Sequence, residues 1–221
     1  MIKRLKIAYR YEPVLGVGGD FIDIHYREGM DDVGLFICDV SGHGASSAMI
    51  ASMVKMSLNS WGRFIQKPAE AFVEMKRLLY GKIGDNFISA YMCSVDLKTG
   101  IITSACAGHP PMIIIRKNGG PELIKPGGRL ILDAADSTYE EVHTPLYPGD
   151  MIVLYTDGVI EARTATGEMI GEERFVEMLN RYSGLSSYTL CSRIYDEIFN
   201  NNDATVIDDD FALLVAEYTG E

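Results

Sequence analysis

The chain has 221 residues, 47 % hydrophobic and 23 % charged, an ordinary globular mix with enough length for one substantial core. Its formal net charge of −11 argues against sequence-independent binding to nucleic acid or anionic lipid, which both need clustered Lys and Arg. The longest apolar runs, such as "MIVLY" and "MIII", are too short to cross a bilayer, and the N-terminal "MIKRLKIAYRYEP" lacks the apolar stretch of a secretory signal, so a cytoplasmic protein without membrane insertion is expected.

Strands are expected first, at "LKIAYRY", "DFIDIHY" and "VGLFICDV", separated by the turn material "GVGG" and "EGMDD". Two helices follow. The first, over 45–65, carries Met49, Met53 and Met56 beside Ile50 and Val54 at helical spacing, a stripe expected to pack in the core. The second, over 68–83, opens with Pro68 in its first turn, where a missing N–H costs little. A strand series comes next: "FISAYMCSVD", the turn "LKTG", "IITSACAG" and "MIIIRK", with Asn118-Gly119 as a hairpin signal. Further strand material lies at "EEVHTPL" and "DMIVLYT", helices at "GEERFVEMLNRYS" and "SSYTLCSRIYDEIFN", and a closing strand at "DFALLVAEY".

No repeat or linker divides the chain, so residues 1–221 are expected to form a single domain. Antiparallel strand groups interrupted by helix pairs point to an α+β fold. A layered α-β-β-α sandwich, two mainly antiparallel sheets flanked by helices, suits that order. Cys38, Cys93, Cys106 and Cys191 sit in apolar segments without C-x-x-C spacing and read as reduced core residues.

Four places carry an aspartate at a strand edge. "GLFICDVSGHG" is an apolar strand ending at Asp39 before a glycine-rich turn, and "MIVLYTDGV" repeats that grammar at Asp157-Gly158. "VGGDFIDI" has the opposite polarity, delivering Asp20 at a strand start, and "IDDDFALLV" resembles it with Asp208, Asp209 and Asp210. In an antiparallel sheet the C-end of one strand lies beside the N-end of its neighbour, so all four can meet at one rim. Carboxylates so gathered repel one another unless divalent cations neutralise them, and all-oxygen ligation suits Mg²⁺ or Mn²⁺. The pattern alone does not choose among Asp208, Asp209 and Asp210.

These segments, with "FISAYMCSVDLKTG", "SACAGHPP" and "GEMIGEERF", occur in an order that resembles the metal-dependent protein phosphatases (the PPM or protein phosphatase 2C class) in their bacterial SpoIIE-type branch, from about Leu5 to Val215. The resemblance implies a centre of two divalent cations, Mn²⁺ or Mg²⁺. Asp39 would bridge them, joined by the backbone carbonyl of Val40; Asp20 would bind one ion, and Asp157 and Asp209 the other, with Asp210 as second choice in its triplet. It implies hydrolysis of phosphoserine or phosphothreonine by a metal-bound water, on a phosphorylated signalling protein of the STAS anti-sigma-factor-antagonist type. The resemblance leaves room for a homodimer or a sensor-domain partner, and for the chain being either a stand-alone enzyme or the catalytic piece of a longer one.

Two departures matter. Ala212 stands where the family commonly has Thr, which would remove a hydroxyl beside a ligand carboxylate. No arginine is assigned to hold the substrate phosphate, Arg10 being the nearest to the first motif. Both support a rival reading, a weakly active or inactive phosphatase-fold module that binds a partner as a regulator. A phosphohydrolase of small molecules or nucleotides is a third. His43 and His109 read as turn supports rather than ligands, since an all-oxygen site needs no imidazole. The G-x-S-x-G elbow, the dinucleotide fingerprint and the phosphate-binding P-loop are absent from the sequence.

Overall fold

The structure, a computed structural model, describes residues 4–26, 29–58, 65–132, 138–164, 166–199 and 209–220. Its strands are β1 (Leu5–Glu12), β2 (Phe21–Tyr26), β3 (Asp32–Val40), β4 (Ile88–Asp96), β5 (Ile101–Ala107), β6 (Met112–Ile115), β7 (Pro121–Ile124), β8 (Val142–Pro145), β9 (Met151–Tyr155) and β10 (Phe211–Tyr218). The helices are α1 (Ala45–Ser57), α2 (Pro68–Leu79), α3 (Asp157–Glu161), α4 (Gly171–Arg181) and α5 (Ser187–Phe199). One sheet runs β1-β10-β9-β6-β7 and the other β2-β3-β4-β5-β8, each five-stranded and antiparallel throughout.

Three apolar layers hold these parts together. Between the sheets lie Leu35, Ile37, Tyr91, Leu154 and Leu214. The alternate residues of the same strands, Phe36, Cys38 and Met92, meet Val54, Phe72 and Met75 of α1 and α2. On the far side, Tyr155, Leu213 and Val215 meet Phe175 and Leu179 of α4 and Leu190 and Ile194 of α5. Central strands are thus covered on both faces, which is why β3 and β10 read as unbroken apolar runs rather than as polar–apolar alternation. Each such large side chain taken out of water stabilises the fold by about 1.5–3 kcal/mol before entropy is counted. The result is the α-β-β-α sandwich expected from the order of elements.

Several local expectations change. The first helix, expected over 45–65, is α1 over Ala45–Ser57, and residues 59–64 of that expectation lie outside the described residues. The methionine stripe is split: Met49 and Met56 are each 71 % exposed, Met53 is half-buried against the core, and Ile50, Ala51 and Val54 form the buried face. Small Ser47 and Ala51 lie on the buried face of α1, and Met49 and Met56 lie on its solvent side. The second helix stops at Leu79, because Tyr80 turns to φ −52, ψ 132. The Asn118-Gly119 hairpin forms as read, Met112 facing Ile124 and Ile115 facing Pro121, and its return strand β7 adds an element the sequence reading did not name. Helix α3 is the other addition.

Candidate metal centre

Strand alternation decides which side chains reach the rim between the sheets. On β3, Leu35 and Ile37 face the inter-sheet layer, so the two-residue period carries Asp39 to the edge of that layer. On β2, Ile22 and Ile24 pack against the same layer, placing Asp20 in phase one step before the strand. The second sheet contributes from β9, where Thr156 continues the phase of Leu154 and Asp157 opens α3. It also contributes from the start of β10, where Ala212 and Leu214 face inward and Asp209 and Asp210 lead in. Asp20 and Asp39 therefore come from one sheet, and Asp157 and Asp209 from the other.

Their electrostatics tie them into one group. Burial pushes the Asp39 carboxyl up to about 7, with Asp157, Asp209, Asp210 and Glu161 adding to the shift. Asp157 is raised by burial and then by Asp209 and Glu161. Asp20, only 5 % exposed, is raised by burial, opposed by a hydrogen bond from Thr156, and raised further by Asp39, Asp210 and Asp157. The rim gathers negative charge from both sheets.

The aspartate triplet is sorted by its hydrogen bonds. Asp208 lies outside the described residues. Asp210 is 3 % exposed and committed to the frame: its Oδ1 accepts the Val14 N–H at 2.9 Å, and its Oδ2 accepts those of Gly19 at 2.7 Å and Asp20 at 3.5 Å. Asp209 accepts the Asp210 N–H at 2.8 Å with Oδ1, and its charge acts on both Asp39 and Asp157. Both described members act on the acidic group; they differ in that Asp210 accepts backbone N–H groups on both oxygens and Asp209 on Oδ1. The Val40 carbonyl is close by, since a Cβ placed on Gly19 would sit 2.5 Å from its oxygen.

Three residues near the rim were not singled out from sequence. The Thr156 hydroxyl donates to Asp20 Oδ2 at 2.6 Å and accepts the Ala212 N–H at 3.1 Å. The hydroxyl that Ala212 lacks is thus supplied from the neighbouring strand, while the Ala212 methyl packs between the sheets. Glu161 lies one turn after Asp157 on α3, a spacing legible only once that helix is known. Ser89, the cross-strand partner of Asp39, shares a 2.7 Å hydrogen bond with His109 Nδ1. Complete burial lowers the His109 pKa to about 3, so its imidazole stays neutral. His43 is exposed in the turn after β3, and the Arg10 guanidinium lies 4.8 Å from the ring of Tyr195 on α5, turned to the helix side of its sheet.

Among the described residues, no three His, Cys, Asp or Glu side chains enclose a single point tightly enough to cage an ion. That donor set still fits a hard cation such as Mg²⁺, which keeps several waters and takes one or two carboxylates instead of an all-protein cage. Asp20, Asp39, Asp157, Asp209 and the Val40 carbonyl could hold ions in that manner.

Known proteins resemble the chain along most of its length. The family model of SpoIIE (Stage II sporulation protein E) matches residues 29–219. The chain is 25 % identical over 205 residues to the phosphoserine phosphatase RsbU of Bacillus subtilis (strain 168), covering 92 % of this chain and 60 % of that protein. It thus spans less than two thirds of that relative's length. Among solved structures, the SiaA-PP2C domain of Pseudomonas aeruginosa superposes with a TM-score of 0.85 at 20 % identity, over 96 % of this chain and 85 % of that one. The RsbU and RsbW domains of Rv1364c from Mycobacterium tuberculosis give a TM-score of 0.83 at 23 % identity, over 98 % of this chain and 60 % of that one. At those identities the structural likeness speaks for the fold. No helix among the described residues is long and apolar enough to cross a membrane.

Proposed function

The chain belongs to the SpoIIE family of PP2C-type, metal-dependent phosphatases, and from that premise we propose that it hydrolyses phosphoserine or phosphothreonine on a signalling protein with two divalent cations. The observation that carries this reading is the meeting of two carboxylates from each sheet, where burial and neighbouring charge raise the pKa values of Asp20, Asp39 and Asp157. Asp20, Asp39, Asp157 and Asp209, with the Val40 carbonyl beside Asp39, would hold the ions in this reading. Bound there, Mg²⁺ or Mn²⁺ would supply an acidified water and stabilise charge on the phosphoryl oxygens.

The chain's own residues prepare that chemistry. Thr156 fixes the orientation of Asp20 through a charge-assisted hydrogen bond. Asp210 ties down the loop that carries Asp20. Neutral His109 braces Ser89 next to Asp39 without adding charge. Likeness to the phosphoserine phosphatase RsbU supports a phosphoserine substrate, and a STAS-type phosphoprotein is the one the sequence resemblance implies. Thr156 offers Asp20 a hydroxyl where Ala212 has none, which leaves the unassigned phosphate-binding arginine as the support for the rival reading of an inactive binding module.

Purified protein is expected to release phosphate from phosphopeptides only when Mn²⁺ or Mg²⁺ is added. Asp39→Asn should lower that rate by at least about a hundredfold, the upper end of what even outer-shell partners of a metal cost. Unchanged turnover in Asp39→Asn would remove the proposed centre.

A further inference from the structure

A cleft of about 390 Å³ opens directly beside the rim, between the β1–β2 loop and α1, and is lined by Tyr11, Val17, Asp20, Phe21, Ala51 and Lys55 among others. Asp20 belongs to both the cleft and the acidic group. We propose that this cleft receives the residue next to the phosphorylated side chain of the substrate and selects an apolar one. The proposal rests on the phosphatase reading and deepens it.

Continuity is the first argument. Consecutive Cα atoms are about 3.8 Å apart, so a chain with its phosphoryl group at the rim has a neighbouring residue within reach of a cleft that begins at Asp20.

The lining is the second. The Lys55 ammonium is bonded to Asp23 at 2.7 Å and lies 5.8 Å from the Phe21 ring centroid, so its charge is compensated and its stem lines the wall. The negative charge of Asp20 is turned to the cation site in this reading. What remains for a peptide is Val17, Phe21, Ala48, Ala51 and the Tyr11 ring, where a charged side chain would lose water without gaining a partner.

The loop itself is the third. Val17 is 50 % exposed and its neighbour Leu15 60 %, yet the segment is tethered near both ends by the Asp210 carboxylate, through the N–H groups of Val14 and of Gly19 and Asp20. Apolar side chains held in water on a pinned loop beside a catalytic rim form a preorganised binding surface.

The test uses phosphoserine peptides identical except for Leu, Gly or Asp on either side of the phosphoserine in turn. The Leu peptide at the recognised side should exceed the Gly peptide in kcat/KM by about tenfold or more, as expected for filling an apolar pocket, with Asp lowest. Ser52→Phe, placed on the exposed face of α1 and losing only a bond to its own helix, fills the cleft and should bring the Leu-to-Gly ratio close to one. Val17→Asp should reduce the Leu peptide selectively. Fluorescence anisotropy of the same peptides on Mn²⁺-free protein should give the same ranking without turnover.

Equal handling of all peptides by the wild type, or a ratio that survives Ser52→Phe, overturns the assignment. A change of oligomeric state in Ser52→Phe with the peptide ranking intact does so as well, and places a second copy of the chain in the cleft. Absence of Mn²⁺-dependent phosphate release from every peptide, with the anisotropy ranking preserved, counts against the phosphatase reading and leaves the cleft assignment standing.

Discussion

At Thr156, one hydroxyl serves two buried partners, donating to Asp20 at 2.6 Å and accepting from the Ala212 N–H at 3.1 Å. Thr156→Val keeps the shape and removes both bonds. A buried N–H left unpaired costs about 1–3 kcal/mol, so chemical denaturation should reveal a loss of that order. Mn²⁺ affinity, read by calorimetric titration, should weaken by about 10–100-fold as Asp20 loses its orienting partner. Thr156→Ser should retain most of both. Nothing in "LYTDGV" marks this threonine as more than a strand-end residue, because its partners lie 136 and 56 positions away. The division of labour between Asp209 and Asp210 is hidden for the same reason: two adjacent aspartates differ only in which backbone donors the fold brings to them.

Helix α3 illustrates the scale of the element. Five residues long, it carries Asp157 at its first position and Glu161 at its last, and it packs against β10. Gly158 makes that approach feasible, since a Cβ there would sit 2.0 Å from the backbone oxygen of Asp210. Gly158→Ala must therefore push α3 from β10, at about 1–3 kcal/mol for an overpacked contact. Both a lower Tm and weaker Mn²⁺ binding are expected, because Asp157 moves with the helix while Asp209 stays with the strand; a change in Tm alone would separate packing from the site. A segment this short has no apolar period of its own, which is why "TDGV" reads as a turn. Helix α1 erred in the other direction. Its methionines match helical spacing as well as Ile50 and Val54 do, and only the sheet beneath decides which stripe is covered.

Across the whole molecule, six of the 31 acidic residues (Asp20, Asp39, Asp157, Glu161, Asp209 and Asp210) gather at one rim. Asp39 titrates near 7 when folded, and Asp20 and Asp157 are also raised, so the cation-free folded state holds protons that the unfolded chain releases near 4. Stability from these groups is present at low pH and lost as pH rises through about 7. His109 acts with the opposite sign: its folded pKa is depressed to about 3, so its contribution is present above about 6.5 and lost as pH falls. Thermal unfolding of cation-free protein should therefore give a Tm that declines from pH 6 to 8. Saturating Mn²⁺ should raise the curve and flatten that decline, since cations replace the missing protons. A cation-free Tm that rises over the same interval would contradict the crowding of carboxylates.

By itself the sequence determined the layers and the candidates. Runs such as "GLFICDV" and "DFALLVAEY" can be buried only on both faces of a sheet, and four strand-edge aspartates of complementary polarity belong at one rim. Which partners each aspartate meets was decided by tertiary structure. Asp210 is consumed by three backbone N–H groups from a loop some 190 residues away, Asp20 is held by Thr156 from the opposite sheet, and the cleft beside Asp20 exists only where that loop meets α1. A hydrogen bond or a cavity wall depends on which distant atoms arrive within a few ångströms, and no local pattern of residue types encodes that.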